Sequence, residues 1–386
     1  MKKKVIGLLC MLLLLSGCYS QTELNEMMVA TAIGVDKTET GVNVTLQVLN
    51  PSEVAGGTTK TGRPGVSCYS ETGETFFHAL RRLTRITPRK IFLSHIRFVA
   101  FDEALAREGL LPLLDFLMRD HELRSDFSLF IVKEYKANDL LKTLTPIEQI
   151  PANKVLNSTM ATEEFYGTAG ENELEDFYKA FYSEGVEPVL TGIELLGQVD
   201  SGSSIESIEQ TEPETIIKIN DLALFREDQL VGWLTEQQSI GYGYWTNHIQ
   251  NTVSVVSVND ALVTLEIMKA KVAIKPSEKR RHFDVTTTIQ ASIGQSAWGD
   301  VDDLAKLKQA LSDDIKNQMS QCLDRLREEQ IDSIGLGQLL YQNQPSVWEE
   351  VKDDWDETFQ NVTASYTFDV TISQNGQITA ERGAPK

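Results

Sequence analysis

One segment constrains the fold more than any other. From Asp303 to Glu328, the residues Leu304, Leu307, Leu311, Ile315, Met319, Cys322 and Leu326 recur at intervals of three and four, the period of one helix face. At 1.5 Å per residue such a helix is about 40 Å long. A stripe of that length must be laid across a sheet or another helix to leave water. The neighbouring chain supplies the sheet. Thr252–Val258, Leu262–Ile274 and Phe283–Ile293 are β-rich and follow one another in meander order, and Val362–Ile372 reads as a last strand. Trp348 and Trp355 lie two helical turns apart with Phe359 one turn further, a spacing that points to core packing.

Upstream the period keeps changing. Met27–Asp36 and Val42–Leu49 alternate around a turn at Lys37–Gly41 and are expected to pair as a hairpin. A Gly/Thr-rich loop covers 52–64, and Val66–Ser70 is a possible further strand. Gly73–Thr87 then takes helical spacing, with Phe76, Leu80 and Leu83 on one face and Arg81, Arg82 and Arg85 on the other. Apolar strands are expected at Ile91–Leu93, Ile96–Phe101 and Phe127–Val132, with short helices at Glu103–Glu108 and Leu110–Met118. Pro151 suits a first helical turn, and Leu174, Phe177, Tyr178 and Phe181 mark another helix. Val189–Val199, Thr215–Phe225 and Leu230–Leu234 read as strands separated by a Ser/Glu-rich loop at 201–214, and Gly241-Tyr242-Gly243-Tyr244-Trp245 reads as an aromatic loop.

The first twenty residues carry a different signal. Lys2, Lys3 and Lys4 precede an apolar run from Val5 to Leu15. That run is shorter than the roughly 20 residues a bilayer span needs, so a signal peptide is expected. Leu15-Ser16-Gly17-Cys18 follows and has the form of a bacterial lipobox. Small residues admit the peptidase after Gly17, and the Cys18 thiol takes an S-diacylglycerol, with an N-acyl chain on the freed amine. Two acyl chains hold a protein on a membrane stably, at about 0.8 kcal/mol per buried methylene. The expectation is a chain anchored to a membrane rather than spanning it.

Charge and cysteines narrow the function. The chain carries net charge −20, which becomes −23 without Lys2, Lys3 and Lys4. That argues against nucleic acid or an anionic lipid surface as the main partner, and suits a body held off an anionic membrane by repulsion and tethered only at one end. With Cys10 in the signal and Cys18 acylated, Cys68 and Cys322 remain. A bridge is chemically permitted outside the cytoplasm, but Cys322 lies on the apolar stripe and reads as a buried free thiol. The histidines at 78, 95, 121, 248 and 282 are scattered without ligand spacing, so His95 reads as structural. Asp300, Asp302 and Asp303 imitate the start of a calcium loop without its glycine or terminal glutamate. No nucleophile elbow, phosphate loop or Cys-x-x-Cys occurs, so no catalytic or metal residues and no cofactor are assigned. Trp233 and Trp245 could line a groove or a core, and packing is the simpler reading. Arg81, Arg82 and Arg85, followed by Arg89 and Lys90, stand out in so acidic a chain. They read as a solvated helix face or a candidate partner patch.

Several of these segments, in this order, resemble the Ger(x)C family, the C-subunit lipoproteins of bacterial spore germinant receptors. The resemblance rests on Gly17-Cys18-Tyr19 with Glu23-Leu24, on Ala32-Ile33-Gly34-Val35-Asp36, and on Pro88-Arg89-Lys90-Ile91-Phe92-Leu93-Ser94-His95. It continues through Leu230-Val231-Gly232-Trp233-Leu234, Gly241 to Trp245, Asp332 to Gly337, Pro345 to Trp348, and Trp355 to Phe359. Tyr19 and Ser20 replace the family's usual Trp and Asp. The resemblance implies an α/β (α+β) ectodomain of three domains, each a mixed or antiparallel sheet flanked by helices. We place these at 18–140, 141–250 and 251–386 after a leader at 1–17. It also implies a non-enzymatic subunit on the outer face of the spore inner membrane, working with receptor A and B subunits in nutrient sensing. A solute-binding lipoprotein of a membrane transporter is the alternative, and would show two doubly wound lobes. An extracytoplasmic hydrolase would need a polar constellation that the sequence does not display.

Overall fold

The computed structural model describes residues 26–54, 62–168, 170, 172–277, 281–296 and 303–373. Its strands fall into two sheets. The first contains β1 (Met27–Thr38), β2 (Gly41–Leu49), β3 (Val66–Gly73), β4 (Lys90–Phe92), β5 (Phe98–Asp102), β6 (Ser128–Val132), β7 (Val189–Gly197), β8 (Thr215–Arg226) and β9 (Gln229–Trp233). Their order is β3-β2-β1-β5-β6-β7-β8-β9, with β4 alongside the first residues of β1. β1, β5, β6 and β7 run parallel, and antiparallel hairpins close the two ends. Both faces are covered. Helices α1 (Phe76–Leu83) and α2 (Leu111–Arg119) pack Phe76, Leu83, Leu114 and Leu117 against Ile33, Val99 and Phe101. On the opposite face α3 (Ala137–Lys142) and α4 (Pro151–Phe165) pack Leu140, Leu141 and Val155 against Ala32, Phe98 and Phe130. Burial from both sides is why β5 and β6 are unbroken apolar runs instead of alternating ones. Helix α5 (Leu174–Phe181) joins the first of these layers through Phe177.

The second sheet is built as expected and then extended. Strands β10 (Thr252–Val258), β11 (Ala261–Pro276) and β12 (His282–Ser296) form the antiparallel meander. Helix α7 (Leu304–Glu329) then carries the chain back, and β13 (Thr363–Ser373) pairs parallel to β12. The stripe on α7 lies in the core through Leu307, Leu311, Ile315, Met319, Cys322 and Leu326, whereas Leu304, in the first turn, is exposed. β10 alternates buried and exposed residue by residue, because only one face of this sheet is covered. Helices α8 (Leu336–Asn343) and α9 (Pro345–Val351) and a final turn Trp355–Phe359 complete the core.

Two sequence expectations change. The helix expected over Gly73–Thr87 is shorter, because Gly73 ends β3 and the Thr75 hydroxyl accepts the His78 N–H to start α1 at Phe76. The aromatic loop is instead the end of a helix, α6 (Glu236–Trp245), opened by reciprocal caps between Thr235 and Gln238. Glycine disfavours helix, but here it permits contact. A Cβ at Gly241 would lie 2.2 Å from the Gln318 carbonyl oxygen, so α6 crosses α7 at backbone distance. The Trp245 indole N–H donates to the Met319 carbonyl at 2.9 Å.

Candidate functional site

The parallel strands β1, β5 and β6 all begin at one end of the large sheet, and the basic segment is folded onto that end. α1 delivers Arg81, and the turn after it delivers Arg85 and Arg89 before Lys90 opens β4. A groove of about 430 Å³ runs between these elements, lined by Leu80, Arg81, Arg89, Lys90, His121 and Glu122. Its wall is fixed by the Ser94 hydroxyl, which donates to the Glu122 carbonyl at 2.6 Å, and by the Lys90–Glu122 ion pair at 3.2 Å. The three arginines of the candidate patch do not act alike. Arg81 is exposed, with its guanidinium 4.8 Å from the centre of the Phe77 ring, a cation–π geometry. Arg85 is exposed. Arg82 turns back to Glu71 on β3, Nε to carboxylate 3.3 Å, and ties α1 to the sheet.

The remaining candidates are dispersed. Trp245 is core, while Trp233 lies on the other sheet, its N–H 3.3 Å from Glu103 and its ring 5.2 Å from the Lys133 ammonium. The structure does not bring them together into one groove. Trp348, Trp355 and Phe359 stack in the core, with ring centres 5.5 and 6.0 Å apart. Cys68 and Cys322 are free thiols, the second fully buried on α7, and burial pushes the Cys68 thiol up to about 12. His95 lies beside the Phe92 ring at 5.3 Å. Asp303 caps α7 by accepting the Lys306 N–H at 3.1 Å, while Asp300 and Asp302 lie outside the described residues. So do Gly17 and Cys18. Among the described residues no group of three His, Cys, Asp or Glu side chains is placed to hold a metal, and no helix is long and apolar enough to cross a membrane.

Sequence reasoning passed over the interior carboxylates. Asp36, at the end of β1, accepts the N–H groups of Ala137 at 2.6 Å and Asn138 at 3.1 Å and so starts α3. Burial, with Asp102 nearby, raises it to about 6 against the pull of those two donors. Asp332 is enclosed and accepts from Leu336 N at 3.0 Å, Gly337 N at 2.6 Å and the Trp355 indole at 3.1 Å. Burial outweighs these donors and pushes it to about 7. A junction between the two sheets is built around it. Glu187 N donates to the Asp332 carbonyl at 3.0 Å, the Trp348 indole donates to Glu184 at 2.6 Å, and Gln338 N donates to the Gly185 carbonyl at 3.0 Å. Gly185 has φ +70, and a Cβ there would sit 2.5 Å from the Gly337 carbonyl carbon. Both carboxylates stand in segments that carry the family resemblance, Ala32 to Asp36 and Asp332 to Gly337, but no sequence pattern marks them as buried.

Comparison with known proteins covers both sheets. Residues 20–195 match the model of the spore germination protein N-terminal domain, and residues 220–376 match that of the spore germination B3/GerAC-like C-terminal domain. Spore germination protein KC of Bacillus subtilis is 32% identical over 372 residues, 91% of each chain. The putative spore germination protein YfkR of the same organism is 24% identical over 94% of each chain. A crystal structure of the GerBC protein has a similar fold, with TM-score 0.55 at 18% identity over 88% of this chain and 96% of that one. With both halves matched in order and a relative at this identity along nearly its whole length, the chain belongs to the Ger(x)C family of spore germination proteins.

Proposed function

We propose that this chain is the C subunit of a nutrient germinant receptor, anchored by Cys18 to the outer face of the spore inner membrane and required for germination in response to nutrients. The observation that carries this reading is the match in order of both halves to spore germination domains, together with 32% identity to a germination protein. Its partners are the receptor A and B subunits and the membrane. Its body is divided into units at 18–140, 141–250 and 251–386, the first two sharing the nine-stranded sheet. The role is binding and scaffolding without catalysis. In support, the buried carboxylates Asp36 and Asp332 are occupied in capping helices α3 and α8. The patch around Arg81 and Arg85 is a docking surface, with Arg82 holding α1 in place. The transporter alternative loses ground, because the described residues form one mixed sheet and one smaller sheet and not two doubly wound lobes.

The test is purification from spore membranes. A tagged chain should retain the A and B subunits, and Cys18→Ala should shift it to the soluble fraction with loss of nutrient response. A Cys18→Ala protein that remains acylated and membrane-bound, or a tagged chain that retains neither subunit, overturns the reading.

A further inference from the structure

We infer that the basic end of the large sheet is a membrane-facing surface that binds anionic phospholipid headgroups and sets the orientation of the body. The inference rests on the reading of Cys18 as the anchor and names the partner of the patch. From Thr75 to Phe101 the chain carries six Lys and Arg and no acidic residue, in a protein of net charge −20. The six are Arg81, Arg82, Arg85, Arg89, Lys90 and Arg97. Arg82 and Lys90 are ion-paired, to Glu71 and Glu122. Arg81, Arg85, Arg89 and Arg97 are exposed, with no carboxylate at ion-pair distance among the described residues. Against them the same end carries Glu26, Asp120 and the Glu122 paired to Lys90. Asp126, Glu173, Glu175 and Asp176 gather where β6 begins beside Arg97, so the basic character belongs to the face formed by α1, the turn after it and β4.

The topology places these charges where a tethered chain enters the fold. β4 is paired to the first residues of β1, with Lys90 opposite Met27, and Arg97 donates its N–H to Thr31 on the same strand. Met27 follows Cys18 by nine residues, which even fully extended reach only about 30 Å. The end bearing Lys90 and Arg89 is therefore held within that distance of the bilayer. Phe77 and Ile86, at 44% and 46% exposure, stand among the arginines. Aromatic and aliphatic side chains interleaved with cations suit a headgroup boundary. The charge of the remainder works in the same direction. An anionic leaflet attracts the basic end within a Debye length and repels the acidic body, so one tether and one patch fix a standing orientation. A protein partner explains the charge but not its position beside the tether.

The experiment uses the full mature chain with Cys18→Ser, so that no acyl chain contributes, mixed with phosphatidylcholine vesicles with or without about 30% phosphatidylglycerol. Co-sedimentation is expected on the anionic vesicles alone and is expected to fall as salt rises. Each exposed arginine contributes about fivefold to that partition. Joint change of Arg85, Arg89 and Arg97 to Gln lowers it about a hundredfold, and the single change Arg89→Gln, on an exposed turn, lowers it about fivefold. Equal partition on both vesicle types, or a partition unchanged by Arg89→Gln and by salt, overturns the inference. A triple variant that partitions like wild type yet no longer retains the receptor subunits also overturns it, and assigns the surface to protein. Mass spectrometry of wild-type Cys18 scores the anchor separately, since an unmodified thiol would remove the tether while leaving the vesicle result standing.

Discussion

The nine-stranded sheet is covered on both faces and the four-stranded sheet on one, and the two regions write that difference into their sequences. Phe98–Asp102 and Ser128–Val132 are buried at every residue, so their side chains carry no period. Thr252–Val258 alternates strictly and leaves Val253 and Val255 exposed. The regions also share a device and use it under different charge. Each starts a short helix from a buried carboxylate, Asp36 for α3 and Asp332 for α8. Lys136 lies beside Asp36 and favours its ionised form, whereas Asp332 has only neutral donors. The less compensated carboxylate is the one at the junction between sheets.

The largest effect should separate the regions. Ile315→Asp places a charge on the fully buried stripe of α7, where desolvation costs several kcal/mol. The four-stranded sheet should lose its amide protection from hydrogen exchange while β5 and β6 keep theirs. A variant with the wild-type melting temperature would show that α7 is not what holds this sheet, and the contrast between the regions would fail.

Titration sharpens the same contrast. Asp332 is raised from 3.8 to about 7 in the fold. The folded protein therefore holds this proton more tightly than the unfolded chain does. The stability it contributes is fully present below the unfolded value and is lost as pH rises through about 7. Integrated, the linkage is up to about 4 kcal/mol. Asp36, raised to about 6, gives a smaller loss that is complete at lower pH. Between pH 6 and pH 8 protection at the junction should fall, and Asp332→Asn should reduce that slope, leaving the share of Glu187, which burial also raises to about 7, while Asp36→Asn leaves it unchanged. Equal slopes in wild type and Asp332→Asn would mean that Asp332 stays ionised throughout.

A smaller effect is expected where the helices touch. Gly241→Val drives a side chain toward the Gln318 carbonyl, an overpacking that costs about 1–3 kcal/mol. Gly294→Ala meets only the Thr264 carbonyl, at 3.6 Å, and should be nearly neutral in denaturant unfolding. If both changes cost the same, close approach of α6 and α7 is not the reason for Gly241.

How much of this was legible follows from what each signal depends on. The stripe of α7 is a one-dimensional pattern legible from spacing except at Leu304, which is exposed, and the meander of β10, β11 and β12 is legible from composition and order. β13 was recognised as a strand, but its parallel pairing depends on where α7 returns the chain, which spacing does not encode. α6 was read as a loop because Gly241 and Gly243 were weighed by propensity, whereas their role is set by a helix distant in sequence. Asp36 and Asp332 stand in segments of the family resemblance, but their burial is not legible there, since burial is a property of the whole fold. In the basic patch the residue types were visible and their division of labour was not. Arg82 differs from Arg81 and Arg85 only because β3 places Glu71 beside it.

That division gives the smallest and last prediction. Arg82 is partly buried and lies 3.3 Å from Glu71, so Arg82→Glu sets two carboxylates against each other beneath α1. A partly screened pair of this kind is worth up to about 1 kcal/mol, and its reversal should lower the denaturant midpoint by a comparable amount. Arg85 is exposed and has no ion-pair partner among the described residues. Arg85→Glu should therefore change stability by no more than about 0.5 kcal/mol. The prediction is a ranking, so both variants belong in one urea series, read by tryptophan fluorescence and by far-ultraviolet circular dichroism. If Arg85→Glu costs as much as Arg82→Glu, Arg85 is a structural residue and loses its claim to a partner. If Arg82→Glu is neutral, the tie to Glu71 contributes nothing, and all three arginines belong to the docking surface.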